Sequence, residues 1–214
     1  MSYIVRDDAP RRPRGSLLAA VAGVGVLAAV GVVLLVWVAG PGEPERPTVS
    51  WTVVGSQPVP SSVRHGPMRT GDGLAAGFSH DELGAALAAV HLSARLVPGV
   101  PPQVYQQTAR RQGIGDVEEW IALVDRSREV RTVASPDDVG RELYYRVVDG
   151  DPGGDTVQIS VAAATEAARR QGGYVELSRT LRWVDGDWKI QLPLPPRAII
   201  ESLASYSPLE PDDE

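Results

Sequence analysis

From Ser16 to Gly40 the chain reads SLLAAVAGVGVLAAVGVVLLVWVAG, 25 residues without a formal charge. A helix rises about 1.5 Å per residue, so some 20 apolar residues cross the ~30 Å hydrocarbon layer of a bilayer. A core helix of a globular domain is polar on one side, and this stretch is apolar all round. A secretory signal has a shorter apolar region, about 7–15 residues, and a small-x-small cleavage site. Here Trp37 stands two positions before Ala39, which does not fit such a site. Residues 16–40 therefore read as one uncleaved transmembrane helix.

The flanks set its direction. Arg6, Arg11, Arg12 and Arg14 precede the span, while Glu43, Glu45 and Arg46 follow it. Positive flanks stay cytoplasmic, so a basic N-terminus (1–15) is expected inside and the rest outside the cell membrane. Setting aside the four arginines and two aspartates before the span leaves 17 basic against 25 acidic residues. An outer part at −8 should repel nucleic acid and anionic lipid, so no direct nucleic acid binding is expected. Within the span, Ala19 with Gly23 and Gly25 with Ala29 are small-x-x-x-small pairs that allow close helix approach and self-association. An Ala- and Gly-rich span also produces this spacing by composition alone.

After the span, PGEPERP opens a stiff proline-rich linker (41–50), and a folded part is expected over 51–206 with an acidic, disordered tail at 207–214. WTVVGSQPVPSS (51–62), broken by Pro58 and Pro60, can supply one edge strand at most, and VRHGPMRTGDG reads as loop. GFSHDELGAALAAVHLSARLV (77–97) is a helix with Ser79 as N-cap, Glu82 completing a capping box, and Phe78 stapled to Leu83. Pro98-Gly99 ends it. A second helix starts at Pro101-Pro102 and stops near Gly113 or Gly115, and a third is capped by Asp116. Alternation then predicts strands at 141–150, 156–163 and 174–192, with ATEAARRQGG either prolonging a strand or forming a helical turn, and RAIIESLASY (197–206) a final helix.

In RWVDGDWKIQLP the Asp185-Gly186 dipeptide favours a two-residue type I′ hairpin. That turn sets Trp183 opposite Trp188, Leu181 opposite Ile190 and Arg179 opposite Leu192, with the apolar side chains on one face. Facing aromatic pairs of this kind add up to ~1 kcal/mol beyond their buried area. The tryptophans accordingly read as core wall rather than ligand site. Helices followed by one-sided antiparallel strands make an α+β fold with helices packed on a curved antiparallel sheet, best matched by a cone-like, nuclear-transport-factor-2-like domain.

Chemistry is sparse in the sequence. The absence of cysteine excludes disulfides and Cys-ligated metals, and no two of His65, His80 and His91 share an i, i+4 spacing. No phosphate-binding loop, dinucleotide motif or GxSxG elbow is present. Ser79-His80-Asp81 carries triad residue types, but adjacent positions point apart. His91 is expected half-exposed beside Arg95, and Asp137-Asp138 in the first turn of a short helix capped by Ser135. Inner-face candidates for a cone mouth are Tyr145 and Arg179, the latter at the rim or paired to a carboxylate. No catalytic residue, metal or cofactor is assigned.

Residues 51–91 resemble a group of uncharacterised actinobacterial single-pass membrane proteins, many carried near conjugative elements. The likeness rests on Gly66, Pro67 and Arg69, then Gly77, Phe78, Ser79 and His80, then Gly84 and Ala85. The plan of basic N-terminus, one span and this domain is similar to the bitopic scaffold subunit of type IV secretion and conjugation machines. The resemblance implies a non-enzymatic scaffold that contacts other membrane proteins of a transfer complex, with homo-oligomers among its partners. An accessory protein of an actinobacterial lipid importer shares that plan. A small-ligand-binding or enzymatic cone-type domain is a third reading.

Overall fold

The computed structural model describes residues 49–128 and 139–209, and of Val139–Arg141 only the backbone. The span, with Ala19, Gly23, Gly25 and Ala29, lies outside these residues, as do Ser135 and Asp137-Asp138. Among the described residues no helix is long and apolar enough to cross a membrane. Residues 46–214 form one compact unit, of mixed α and β structure.

In chain order the elements are β1 (Ser50–Val54), β2 (Gln57–Ser61), β3 (Arg69–Gly71), β4 (Leu74–Ala76), α1 (Glu82–Arg95), α2 (Pro102–Gln112), β5 (Gly113–Gly115) and α3 (Val117–Arg128). Then come β6 (Val139–Gly150), β7 (Thr156–Thr165), α4 (Glu166–Arg169), β8 (Tyr174–Val184), β9 (Asp187–Leu192), β10 (Ala198–Ile200) and β11 (Ser207–Pro208). The main sheet runs β11-β6-β7-β8-β9-β5, with β10 beside the first residues of β8. Its pairs are antiparallel except β5 with β9, which is parallel.

The hairpin register agrees with the turn chemistry: Trp183 pairs with Trp188, Leu181 with Ile190 and Val184 with Asp187. Asp185 and Gly186 both have positive φ, as a type I′ turn demands. Leu181, Trp188, Ile190 and Leu192 are buried with Val157, Ile159 and Val161 of β7, while Trp183 is half-buried against the same core. Onto this face packs α1. Its small residues Gly84, Ala85, Ala86, Ala88, Ala89 and Ala94 let it sink until nearly every side is covered. Alanine allows this because it needs little room on any side.

Several expectations are overturned. Residues 51–62 form two strands, β1 and β2, with Pro60 opposite Trp51 and Pro58 opposite Val53. Prolines two apart aim their missing N–H groups to the same side, so the ladder to β1 survives and only the other side of β2 is blocked. The supposed loop at 63–73 contains β3, which turns into β4 through Asp72-Gly73, again with two positive φ angles. Where the second helix is expected to stop, near Gly113 or Gly115, the chain forms β5 alongside β9.

At 197–206 the chain forms β10 instead of a helix, because the start of β8 has an edge to fill and Ile199 and Ile200 suit a strand. The folded unit also extends past its expected limits. Val49 is buried, Ser50 opens β1, β11 pairs with Tyr144 and Tyr145, and Leu209 is fully buried rather than part of a tail.

Candidate functional site: a polar clasp between motif and hairpin

The motif residues converge on the start of α1. Ser62 and Gly66 exchange two backbone hydrogen bonds of 2.9 Å and close a tight loop over residues 63–65. Gly66, at φ +98°, lies so close to the next segment that a Cβ would sit 2.7 Å from the Gly77 carbonyl and 2.9 Å from Phe78 Cα. Pro67 follows through a cis peptide. Only glycine permits this approach of two backbones. The Ser79 N–H then donates to the His65 carbonyl at 3.2 Å.

His65 Nδ1 lies 2.9 Å from Asp81 Oδ2 and 3.1 Å from Ser79 Oγ, and the Ser79 hydroxyl donates to Asp81 Oδ1 at 2.8 Å. Asp81 also accepts from the Gly84 N–H at 2.8 Å, so Asp81, not Ser79, is the N-cap of α1. The expected capping box with Glu82 gives way because aspartate brings a charged acceptor to the same donors. A Cβ on Gly84 would collide with the Ser79 carbonyl. Burial pushes the Asp81 carboxyl up, but the Gly84 and Ser79 hydrogen bonds and the nearby His65 outweigh it and hold it below its ordinary range.

The hairpin grips the same segment from the sheet. Asp187 Oδ2 accepts from the Gly77 N–H at 2.7 Å and Oδ1 from the Phe78 N–H at 3.2 Å. The Trp188 indole N–H donates to the Ser79 carbonyl at 2.9 Å. His80 stacks flat on Trp183, ring centroids 4.0 Å apart and planes within 3°, and its Nε2 lies 2.8 Å from the Gly154 carbonyl. A carbonyl only accepts, so this nitrogen carries the proton. Arg69 pairs in β3 and is exposed, and Ala85 is core; neither joins the clasp.

Serine, histidine and aspartate thus meet here, although the histidine is His65 rather than the adjacent His80. The arrangement is not that of a catalytic triad. Acyl-transfer chemistry needs the serine on one ring nitrogen and the aspartate on the other, whereas both are on Nδ1 and the serine proton points at the carboxylate. What the cluster does is cap a helix and tie two chain segments together. Among the described residues no group of three or more His, Asp or Glu could hold a metal.

The other candidates are likewise engaged. His91 is fully buried, not half-exposed: its Nε2 donates to the Pro60 carbonyl at 2.7 Å and its Nδ1 faces Arg95 Nη1 at 3.0 Å. Burial, then the Arg95 charge, lowers it to about 4, so it is neutral at pH 7. Arg179 is buried and donates to Ser93 Oγ at 2.8 Å and to the Ser178 and Pro195 carbonyls, none of which is a carboxylate. Burial brings it down to about 10. Tyr145 is pushed up by burial and by Glu82 and Asp81.

On the opposite sheet face Glu176 Oε1 accepts from Ser160 Oγ and Tyr206 Oη, each at 2.6 Å, and lies 3.4 Å from Arg146. This cluster went unread because its members come from four separate segments. Asp187 went unread too: as a polar residue beside a turn it has no signature of the backbone groups it holds. Neither the curated proteins nor the solved structures yielded a match to this chain. The family model DUF8175, described as a domain of unknown function, matches residues 37–208, which takes in the clasp and the whole main sheet, and the chain belongs to that family.

Proposed function

We propose that the chain is a bitopic membrane scaffold of a conjugation or type IV secretion-like transfer apparatus, with its N-terminus in the cytoplasm and its α+β domain outside. On this reading the domain is a cone-like, nuclear-transport-factor-2-like body that works through protein–protein contacts and performs no reaction. The order of three helices before an antiparallel sheet, with α1 against the sheet's apolar face, supports the cone comparison. The extra β1–β2 and β3–β4 hairpins and the parallel β5 are additions to such a cone.

One observation carries the scaffold reading. The Ser, His and Asp side chains that the motif brings together, His65, Ser79 and Asp81, and the buried His91 are spent on backbone groups or on each other. A reactive site keeps at least one such group directed at a substrate. The uncharged Ser16–Gly40 stretch behind four arginines supplies the anchor.

The test is affinity capture of the tagged full-length chain from detergent-solubilised membranes of its own cell. Recovery of identified channel subunits, a coupling ATPase or a relaxase is the expected result. Recovery of a permease with lipid-binding proteins, or of the chain alone, overturns the transfer role. Protease added to intact cells should digest the domain; protection would overturn the topology.

A further inference from the structure

The β1–β2 hairpin has one blocked edge and one open edge. Val54 and Gln57 flank its two-residue turn and form the bonded pair that closes it, so Val54, Thr52 and Ser50 turn their backbone groups toward β2. Pro58 and Pro60 stand opposite Val53 and Trp51, at the unbonded positions where a missing N–H costs the ladder nothing. The N–H and C=O groups of Trp51 and Val53 therefore point away from β2, and among the described residues no strand pairs with β1 on that side. Sheet edges are commonly guarded by proline, lysine or a bulge. β2 has its two prolines, whereas the SWTVV of β1 carries no charge, proline or bulge. Ser50, Thr52 and Val53 are exposed, Val53 by 65%.

This open edge is complementary to itself. Two antiparallel copies centred on Thr52 set Trp51 opposite the partner's Val53 and Val53 opposite the partner's Trp51. In that register every outward N–H and C=O of the two residues finds a partner. Trp51 against Val53 is an aromatic on a β-branched side chain, and Thr52 meets Thr52 on the other face, both favoured cross-strand pairs. Shifting the copies by two residues sets Trp51 against itself and sends Val53 beyond the end of β1. Charge and closure favour the same occupant. The outer part is acidic overall, yet no charged residue lies between Arg46 and Arg64, so the strands meet where like charges do not oppose. The joined sheet β2-β1-β1-β2 ends on a proline-blocked strand at either side, so pairing closes at two copies instead of running on as a filament.

We infer that β1 pairs edge to edge with β1 of a second copy of this chain, antiparallel about Thr52, to form a twofold dimer. The inference deepens the scaffold reading and rests on it in one respect. A contact along five residues is smaller than the ~800 Å² per partner of a standard interface, so it depends on both copies being held in one membrane.

The chain has no cysteine, so single substitutions report disulfides without ambiguity. In this register Thr52 faces Thr52 with Cα atoms about 4.5 Å apart, within disulfide reach, whereas Val54 lies about 14 Å from the partner's Val54. Full-length Thr52→Cys, Ser50→Cys and Val54→Cys chains replace the native one in membranes of its own cell and are oxidised with copper phenanthroline. The expected result is a reductant-sensitive dimer from Thr52→Cys, none from Ser50→Cys or Val54→Cys alone, and a dimer when those two are produced together. Adding Val53→Pro to Thr52→Cys removes an outward N–H that β2 does not use. It should abolish the dimer while circular dichroism of the purified chain shows the fold kept. Absence of the Thr52→Cys dimer, equal dimers from all three single variants, or an adduct with a different protein overturns the inference. A dimer that persists in the folded Val53→Pro chain does so as well. Release of the chain from these membranes by alkaline carbonate overturns the single-pass reading instead.

Discussion

Trp188 and Ser79, 109 positions apart, are joined by an indole N–H to carbonyl bond of 2.9 Å that ties β9 to the segment leading into α1. The ring is fully buried, so it serves both the core and the clasp. Trp188→Phe keeps most of the apolar contact and leaves a buried carbonyl unpaired, for a loss of about 1–3 kcal/mol. Trp188→Ala adds a large cavity and should cost about 3–5 kcal/mol. Urea unfolding followed by circular dichroism reads both. No change for the alanine variant would mean that the indole is not part of the core.

Glycine positions in the two signature turns should respond differently. Gly186 has φ +78° with open space where a Cβ would lie, so Gly186→Ala carries only the backbone strain, about 1 kcal/mol. Gly66 has φ +98° and would also drive its Cβ into the Gly77 carbonyl and Phe78. Gly66→Ala should therefore cost at least about 3 kcal/mol, the strain plus the overpacking. Comparing the two unfolding midpoints checks the order.

Acid should weaken the domain in two windows. His91 is lowered from 6.5 to about 4, first by burial and then by Arg95, so below pH 6.5 the unfolded chain takes up a proton that the folded one refuses. Stability falls as pH drops from 6.5 to about 4, by on the order of 3 kcal/mol, and this contribution levels off below. Asp81 is held low by the clasp and Glu176 by Ser160 and Tyr206, so their contributions are present above the ordinary carboxylate range and are lost as pH falls through their lowered values. His91→Gln should flatten the slope between pH 6.5 and 4 while leaving the more acidic fall in place. Urea midpoints taken across this pH range give the slopes, and an unchanged slope would refute the assignment.

What was legible follows from where the specifying forces are local. Asp185-Gly186 sets a register through backbone dihedrals alone, and the alternation of Val157, Ile159 and Val161 gives β7 its inner face without reference to anything distant. The same dipeptide at Asp72-Gly73 makes the same turn, but three-residue strands give too little alternation to flag it. Asp81 caps the helix through the Gly84 N–H, while its other oxygen is held by His65, a partner 16 positions away that no local pattern announces. His91 was misjudged because its burial depends on β2, a strand its own prolines had argued against. Within the clasp the motif half was visible in sequence, and the Asp187 half was not, since nothing local reveals which peptide groups it will receive.

Leu209 offers the last test, because composition alone assigned it to a disordered acidic tail. It is fully buried, its N–H donates to the Leu143 carbonyl at 2.7 Å, and β11 immediately before it pairs with Tyr144 and Tyr145. Tyr206 in the same strap stacks under Arg146, 4.7 Å from guanidinium to ring centre, and bonds Glu176. The strap thus extends the sheet at β6, sends Tyr206 onto the face away from α1, and is fixed at its end by one leucine of the core. Leu209→Ala should cost about 2–5 kcal/mol, as for a buried leucine elsewhere. Leu209→Ser should cost more, because a hydroxyl would enter the same apolar site. Hydrogen exchange should show the Leu143 and Tyr145 amides, which face the strap, opening faster in both variants, whereas the β8–β9 hairpin, fixed by its own turn, keeps its protection. A tail that plays no part in the fold would leave all of these amides unchanged.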